Sequence, residues 1–134
     1  MMAGLPGLMS ADDANCVHWE GARMGRIRVQ RCGRCAQLRF PAAPLCSKCG
    51  SQASTWVEIG TTGRVLAWCR FHRAYFSEFK DKLPYTVLLV ELEGGIRLYA
   101  NPAAEAGDSM PVIGSTVTAV FEPVNERFGL VKFR

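Results

Sequence analysis

The sequence predicts a mainly β protein: an N-terminal helix, then a four-cysteine metal-binding ribbon, then a five-stranded β-barrel. Three observations carry this. Four of the six cysteines form two Cys-x2-Cys pairs separated by ten residues. Five segments between residues 63 and 133 are apolar or alternating over strand lengths, with no helical period between them. Helical spacing of apolar side chains is confined to the stretch before Gly25. At 134 residues, 49% hydrophobic and 21% charged, the chain has the composition of a globular protein, enough for one compact domain or two very small ones.

Residues 1–25 read as a leader and the helix. Met1 to Met9 is apolar and broken by Gly and Pro. It has no basic region and is followed by Asp12 and Asp13, the pattern of a loose leader and not of a secretory signal. A cytoplasmic protein is expected, and with no run of eighteen apolar residues, no membrane span. Ser10 stands at an N-cap position with Asp13 three residues on. From Ala11, Cys16, Trp19, Ala22 and Met24 supply an apolar stripe, and Gly25 a stop. A helix of about fourteen residues is marginal alone, so it must dock.

Residues 26–58 read as the ribbon. Ile27 and Val29 alternate with arginines in a strand that leads into Cys32-Gly33-Arg34-Cys35. A Pro-rich stretch, Phe40 to Pro44, precedes Cys46-Ser47-Lys48-Cys49-Gly50, and Thr55 to Ile59 alternates again. Paired knuckles of this spacing bring four thiolates into a tetrahedron at about 2.3 Å from a metal. The glycines allow sharp turns and close approach of backbone amides to sulfur. Two disulfides need an oxidising compartment, which the missing signal argues against. Rubredoxin-like iron uses the same ligands. Structural Zn²⁺ on Cys32, Cys35, Cys46 and Cys49 is the choice, because all four positions are filled and none is open to substrate. About thirty residues bury too little apolar surface to fold alone, and zinc adds an apparent ~10–16 kcal/mol. Cys16 and Cys69 fall on predicted apolar faces and are expected to be buried thiols.

Residues 59–134 read as a small barrel. Gly63 to His72 places Val65, Ala67 and Cys69 on one face and Leu66, Trp68 and Arg70 on the other. Tyr85 to Glu93 is a long apolar strand, Gly94-Gly95 a hairpin turn and Ile96 to Ala100 the return. Val117 to Glu122 and Leu130 to Phe133 complete the set. Five strands in about seventy residues suit an OB-type barrel, which removes exposed sheet edges.

Chemistry is conspicuous by its absence. No phosphate loop, dinucleotide fingerprint, zinc-protease helix or nucleophile elbow occurs. His18 and His72 have no acidic partner at a suggestive spacing. Glu91 and Glu93 share a strand face toward solvent. His72 follows Cys69 by three residues and so points to the opposite face. No nucleophile and base assemble, and the chain is expected to be non-catalytic on its own. Net charge is +4, with seven cations and no acid between Gly21 and Val57. That block attracts phosphates or serves as a solvated face around the metal. The loop from Arg73 to Pro84 crowds Tyr75, Phe76 and Phe79 among basic residues, where a polar loop is expected.

A chain of matches in order resembles the DUF35 family, OB-fold proteins with an N-terminal rubredoxin-like zinc ribbon that are associated with acyl-CoA. It runs through Trp19-Glu20-Gly21, Gly25-Arg26-Ile27, Gln30 to Cys35, Phe40-Pro41 and Pro44 to Gly50. It continues through Trp56, Gly63-Arg64-Val65, His72, Pro84-Tyr85, Val90-Glu91-Leu92, Gly95, Gly114 and Phe121-Glu122-Pro123. His18 departs from it, since family members usually carry an aromatic before the helix tryptophan. The resemblance implies an accessory subunit in a hetero-oligomer with a thiolase-like enzyme: a thiolase, a retro-aldolase or a C-acyltransferase. The catalytic cysteine and histidine then belong to the partner, and the OB/zinc chain braces it and shapes the path of the pantetheine arm. On that footing Tyr75, Phe76 and Phe79 are expected against the partner, and Arg70, His72 and Arg73 near the entry of coenzyme A or acyl-CoA. Two other functions compete: single-stranded nucleic-acid binding and a free-standing acyl-CoA carrier. Nucleic acid is disfavoured because the strands from Tyr85 to Ala100 are mostly aliphatic and carry Glu91 and Glu93, where such binders interleave aromatics with cations.

Overall fold

A computed structural model describes residues 14–75, 77–106 and 109–134, without the side chains of Glu78 and Phe79. The leader, the Ser10 cap and the first residues of the expected helix lie outside the described residues.

Helix α1 spans Cys16–Arg23, shorter than expected, because Ala14 and Asn15 form a turn. The Asn15 side chain does not cap the helix; its Oδ1 accepts the Ala42 amide at 2.7 Å and ties the helix start to the ribbon. The end is as read from sequence. Gly25, at φ +78°, donates to Ala22 and Arg26 donates to Gly21, the paired bonds of a Schellman stop. The buried stripe differs from the expected one: His18, Gly21 and Ala22 face inward, Cys16 and Trp19 are half-buried, and Met24 is 59% exposed.

Strand β1, Ile27–Cys32, lies between β2, Leu38–Arg39, and β3, Ser54–Ile59, in an antiparallel sheet ordered β2-β1-β3. β2 has two residues and leaves no periodic signature in the sequence. The other five strands form the barrel. They are β4, Thr62–Phe71; β5, Tyr85–Glu91; β6, Arg97–Ala100; β7, Thr116–Pro123; and β8, Gly129–Phe133, ordered β6-β5-β4-β7-β8 and antiparallel throughout. A parallel bridge between Pro102 and Phe133 nearly closes the barrel, with the Ala103 amide donating to the Phe133 carbonyl at 2.7 Å. Eleven buried residues form one cluster that runs through α1 (Ala22), the ribbon (Ile27, Val29, Ile59) and the barrel (Val90, Phe133 and others). Helix and barrel meet at Gly129, where a Cβ would stand 2.8 Å from the Arg23 backbone nitrogen; a side chain there would push the helix off.

Two strand readings are corrected. The β4–β5 register shifts between Val65 and Ala67. This bulge adds a residue and reverses the faces beyond it. Val65 is buried, but Ala67 and Cys69, expected beside it, are exposed, and Trp68 packs toward the core instead. The second strand stops at Glu91, so Glu91 and Glu93 do not share a face. Glu91 pairs with Arg97 at 3.8 Å, whereas Glu93 Oε1 accepts the Gly60 amide at 2.8 Å, at the junction of ribbon and barrel. Among the described residues no helix is long and apolar enough to cross a membrane.

Candidate functional site

The two cysteine knuckles are near copies. In the first, the Cys32 amide donates to Gln37 and the Ala36 amide donates back to Cys32. In the second, the Cys46 amide donates to Ser51 and the Gly50 amide donates back to Cys46. The chain turns at Ala36 (φ +64°) and at Gly50 (φ +75°), the same position in each knuckle. Gly33 serves a different need: its amide donates to Ala53 at 2.8 Å, and a Cβ there would stand 2.9 Å from the Ala53 side chain.

All four sulfurs lie within 4.8 Å of one another, with Cys32–Cys49 at 3.5 Å and Cys35–Cys46 at 3.6 Å. A tetrahedron of sulfurs about 2.3 Å from Zn²⁺ has an edge of about 3.8 Å, so the thiols stand at metal-ligand spacing and far beyond disulfide length. Inside the knuckles, amide groups point at sulfur. Those of Cys35 and Arg34, each 3.4 Å from Cys32 Sγ, hold the Cys32 thiol down to about 6. The amides of Cys49 and Lys48 lower Cys46 in the same way. At Cys49 the Ser51 amide favours the thiolate, but burial and the three neighbouring thiols outweigh it and push the group up to about 11. Four sulfurs cannot all be anionic without a cation among them. A divalent metal supplies that charge, and the donor set fits one.

Three of the seven cations in the basic block are engaged in structure. Arg23 Nε donates to the Asn125 carbonyl, Arg26 lies 3.8 Å from Glu58, and Arg39 donates to Gln30 and to Ala43. His18 is 2% exposed and packs its ring 4.8 Å from Trp19 and 4.4 Å from Phe40, with Nδ1 3.1 Å from the Arg28 carbonyl. Burial lowers its pKa against the raising effect of that bond, which holds the ring neutral. The residue that departs from the family pattern therefore fills the aromatic position as an aromatic ring would.

The residues expected near coenzyme A separate. Arg70 Nε donates to Thr86 Oγ1 at 3.1 Å across β4 and β5, with its guanidinium 5.9 Å from the Trp68 ring. His72 and Arg73 are exposed, and Arg73 lies 5.5 Å over Tyr75. Tyr75 is 65% exposed and stands edge-on to Phe71. Phe76 and the Phe79 side chain lie outside what is described; the Phe79 backbone belongs to a 3-10 helix, Ser77–Lys82. Sequence reasoning passed over a cleft of about 110 Å³ between α1, β6 and β8, lined by Trp19, Phe40, Leu98 and Leu130 among others. It also passed over the outward side of β5. The signal for the latter was present, because a strand apolar on both faces contradicts a sheet with one solvated side.

Comparison with known proteins covers both units. Residues 19–55 match the family described as ChsH2, rubredoxin-like zinc ribbon domain, and residues 56–122 match ChsH2, C-terminal OB-fold domain. A Methanothermobacter thermautotrophicus protein named DUF35 domain-containing scaffold protein is 31% identical over 97 residues, covering 72% of this chain and 71% of that one. A Thermomonospora curvata protein named probable enoyl-CoA hydratase alpha subunit is 38% identical over 103 residues. Those residues are 74% of this chain but 32% of that protein, so the chain spans about a third of its length. A solved structure named Ltp2-ChsH2(DUF35) aldolase superposes with a TM-score of 0.75 at 35% identity, covering 90% of this chain and 92% of that one.

Proposed function

From the premise that the chain belongs to the ChsH2 (DUF35) family of zinc-ribbon OB-fold proteins, we propose that it is a non-catalytic subunit of a thiolase-superfamily acyl-CoA enzyme, working in the cytoplasm. It braces a thiolase-like catalytic subunit and helps shape the path of the pantetheine arm. The observation that carries this reading is the likeness, over 90% of this chain, to a solved chain whose name joins ChsH2(DUF35) with Ltp2 in an aldolase. The described residues support it from the other side. Cys69 stands exposed on a strand and His72 lies beyond the strand's end, with no hydrogen bond joining them.

Cys32, Cys35, Cys46 and Cys49 hold Zn²⁺ in this reading, and the closed four-thiolate site leaves no position for substrate. The ion supplies cross-linking and charge balance. His72 and Arg73 follow the end of β4 beside Tyr75, whereas Arg70 turns inward to Thr86; in this reading the cations at that end suit the phosphates of coenzyme A. Nucleic-acid binding is less favoured, because three of the four outward positions of β5 are Val87, Leu89 and the acidic Glu91, with Tyr85 the one aromatic among them.

Co-expression with a candidate thiolase-like catalytic subunit tests the proposal. The two are expected to co-elute in gel filtration as a hetero-oligomer that turns over acyl-CoA, while the isolated chain shows no thiolase, aldolase or acyltransferase turnover. Separate elution, or turnover by the pure chain that disappears in Cys69→Ala, overturns it.

A further inference from the structure

β5 directs Thr86, Leu88 and Val90 into the barrel, which leaves Tyr85, Val87, Leu89 and Glu91 on its outward side. Residues paired across antiparallel strands share a face. The register therefore sets Ala67, Leu89 and Tyr99 in one outward row, with Cys69 and Val87 in the next and Phe71 and Tyr85 in the third. Tyr99 is 78% exposed, and Ala67 and Cys69 are exposed as well. The third row is aromatic: Phe71 and Tyr85 stack at 4.9 Å, and Tyr75 extends the row edge-on to Phe71. At the opposite end a charged row, Arg64–Glu91–Arg97, closes the face. A barrel exterior built this way is apolar in its middle, with the Arg64–Glu91–Arg97 row at one end and Arg73, over Tyr75, beside the aromatic row at the other.

We propose that this outward face of β4, β5 and β6 is the surface on which the chain docks to its catalytic subunit, against an apolar patch rimmed by carboxylates. The inference rests on the subunit reading above and adds the surface and the partner's chemistry. Charge selects the occupant. The rim carries Arg64, Arg97 and Arg73, and the one acid in the paired strand rows, Glu91, is already paired with Arg97. In a two-fold pairing of two copies, one end of the face meets the other end or itself, and either arrangement sets cation against cation. Area points the same way. Three strands about 4.8 Å apart and about seven residues long give a footprint on the order of 300 Å², against ~800 Å² per partner for a stable interface. The face is thus the centre of a larger contact that extends onto the adjoining loop at Tyr75. The second and third strands of OB barrels and the loops beside them commonly receive ligands; here those strands are β5 and β6, and their chemistry suits protein.

Cys69, in the middle row, reports on coverage. The experiment measures N-ethylmaleimide labelling of Cys69, resolved by peptide mass from Cys16 and the metal ligands, in the zinc-loaded chain alone and in complex with a thiolase-like catalytic subunit. Labelling is expected to slow at least tenfold in the complex. Leu89→Asp and Tyr99→Asp are expected to weaken association at least tenfold while the melting temperature of the free chain holds. Should Leu89→Asp fail to fold, Tyr99→Asp decides, since its ring is outside the core. Complex formation with Cys69 labelled at its free rate, or with Tyr99→Asp binding as wild type, overturns the docking face and leaves the subunit reading standing. Protection of Cys69 in the chain alone, with a dimer in gel filtration, makes a second copy the occupant and overturns it too. Failure of any complex to form defeats the subunit reading and this inference with it.

Discussion

Between Cys32 and Ala53 the fully buried residues are Cys32 and Cys46 of the four-cysteine cluster, whereas α1, the ribbon strands β1 and β3 and the barrel share a cluster of eleven buried residues that includes Ile27, Val90 and Phe133. Leu38 and Phe40 attach the base of the ribbon to that cluster, but the two knuckles extend beyond it. One end of the molecule is held by apolar surface and the other by sulfur. The difference follows from size: a hairpin of twenty residues cannot exclude enough water to offset its chain entropy, while a barrel can.

The largest effect should therefore come from the metal. Chelation at neutral pH is expected to remove an apparent ~10–16 kcal/mol from the knuckles. Hydrogen exchange then speeds at the amides of Gly33, Cys46 and Gly50 but not at Val65 or Leu92 in the barrel. Loss of barrel protection in step with the knuckles would show one cooperative unit and break the comparison. Affinity should fall with pH, because binding displaces protons: Cys49, pushed up to about 11, still carries its proton at neutrality, and Cys32, at about 6, regains its own below that. Metal retention across an acid titration checks this.

The converse perturbation is Phe133→Ala. Phe133 is 1% exposed, and its backbone closes the barrel against Asn101 and Ala103. Emptying such a site costs ~3–5 kcal/mol. Thermal unfolding of the whole chain should move down while zinc content in the surviving folded fraction stays at one per chain. Zinc loss before melting would mean that the knuckles depend on the barrel more than on their sulfurs.

His18 lies where the two regions meet, and its effect is smaller. Its folded pKa is lowered by burial, so the unfolded chain binds the proton more readily. Stability is then complete above the ordinary histidine value near 6.5 and declines as pH falls below it, by at most about 1.4 kcal/mol per pH unit for one proton. His18→Phe should remove this slope from urea unfolding measured between pH 7 and 5. An unchanged slope would assign the acid sensitivity elsewhere.

How much of this was legible in the sequence varies with the kind of signal. The four ligands, the five barrel strands, the Gly25 stop and the Gly94-Gly95 turn are written in local spacing and residue type. The bulge at Val65–Ala67 is not, because one extra residue has no compositional mark, and it alone reversed the reading of Cys69. The helix stripe was legible only at Ala22, because a histidine and a glycine, neither of them an apolar marker, occupy its other inward positions. The partner loop stays legible only as composition, with Tyr75 exposed and Phe76 beyond the described residues. The docking face could have been read from Tyr85 to Glu91 by asking why neither side of that strand was polar.

The smallest effect tests whether the two knuckles are equivalent. Both place one residue in the left-handed region, Ala36 in the first and Gly50 in the second, with identical hydrogen bonds around it. An L-residue there costs ~1–2 kcal/mol, which glycine avoids, while glycine gives back ~0.5–1 kcal/mol through its freer unfolded chain. Ala36→Gly should therefore stabilise the first knuckle by about 0.5–1 kcal/mol and tighten zinc by a few-fold in a chelator competition. Gly50→Ala should weaken it by a similar amount. A Cβ at Gly50 meets no atom within 4 Å, so that substitution probes backbone conformation without a clash. Combining the two exchanges the residues between equivalent positions, and the double variant should return close to the starting affinity. If Ala36→Gly changes nothing while Gly50→Ala is costly, the strain at Ala36 is already relieved by its surroundings. The knuckle that continues β1 into the core-bearing sheet would then be the firmer of the pair, and the boundary between sulfur-held and core-held structure would move to lie between the knuckles.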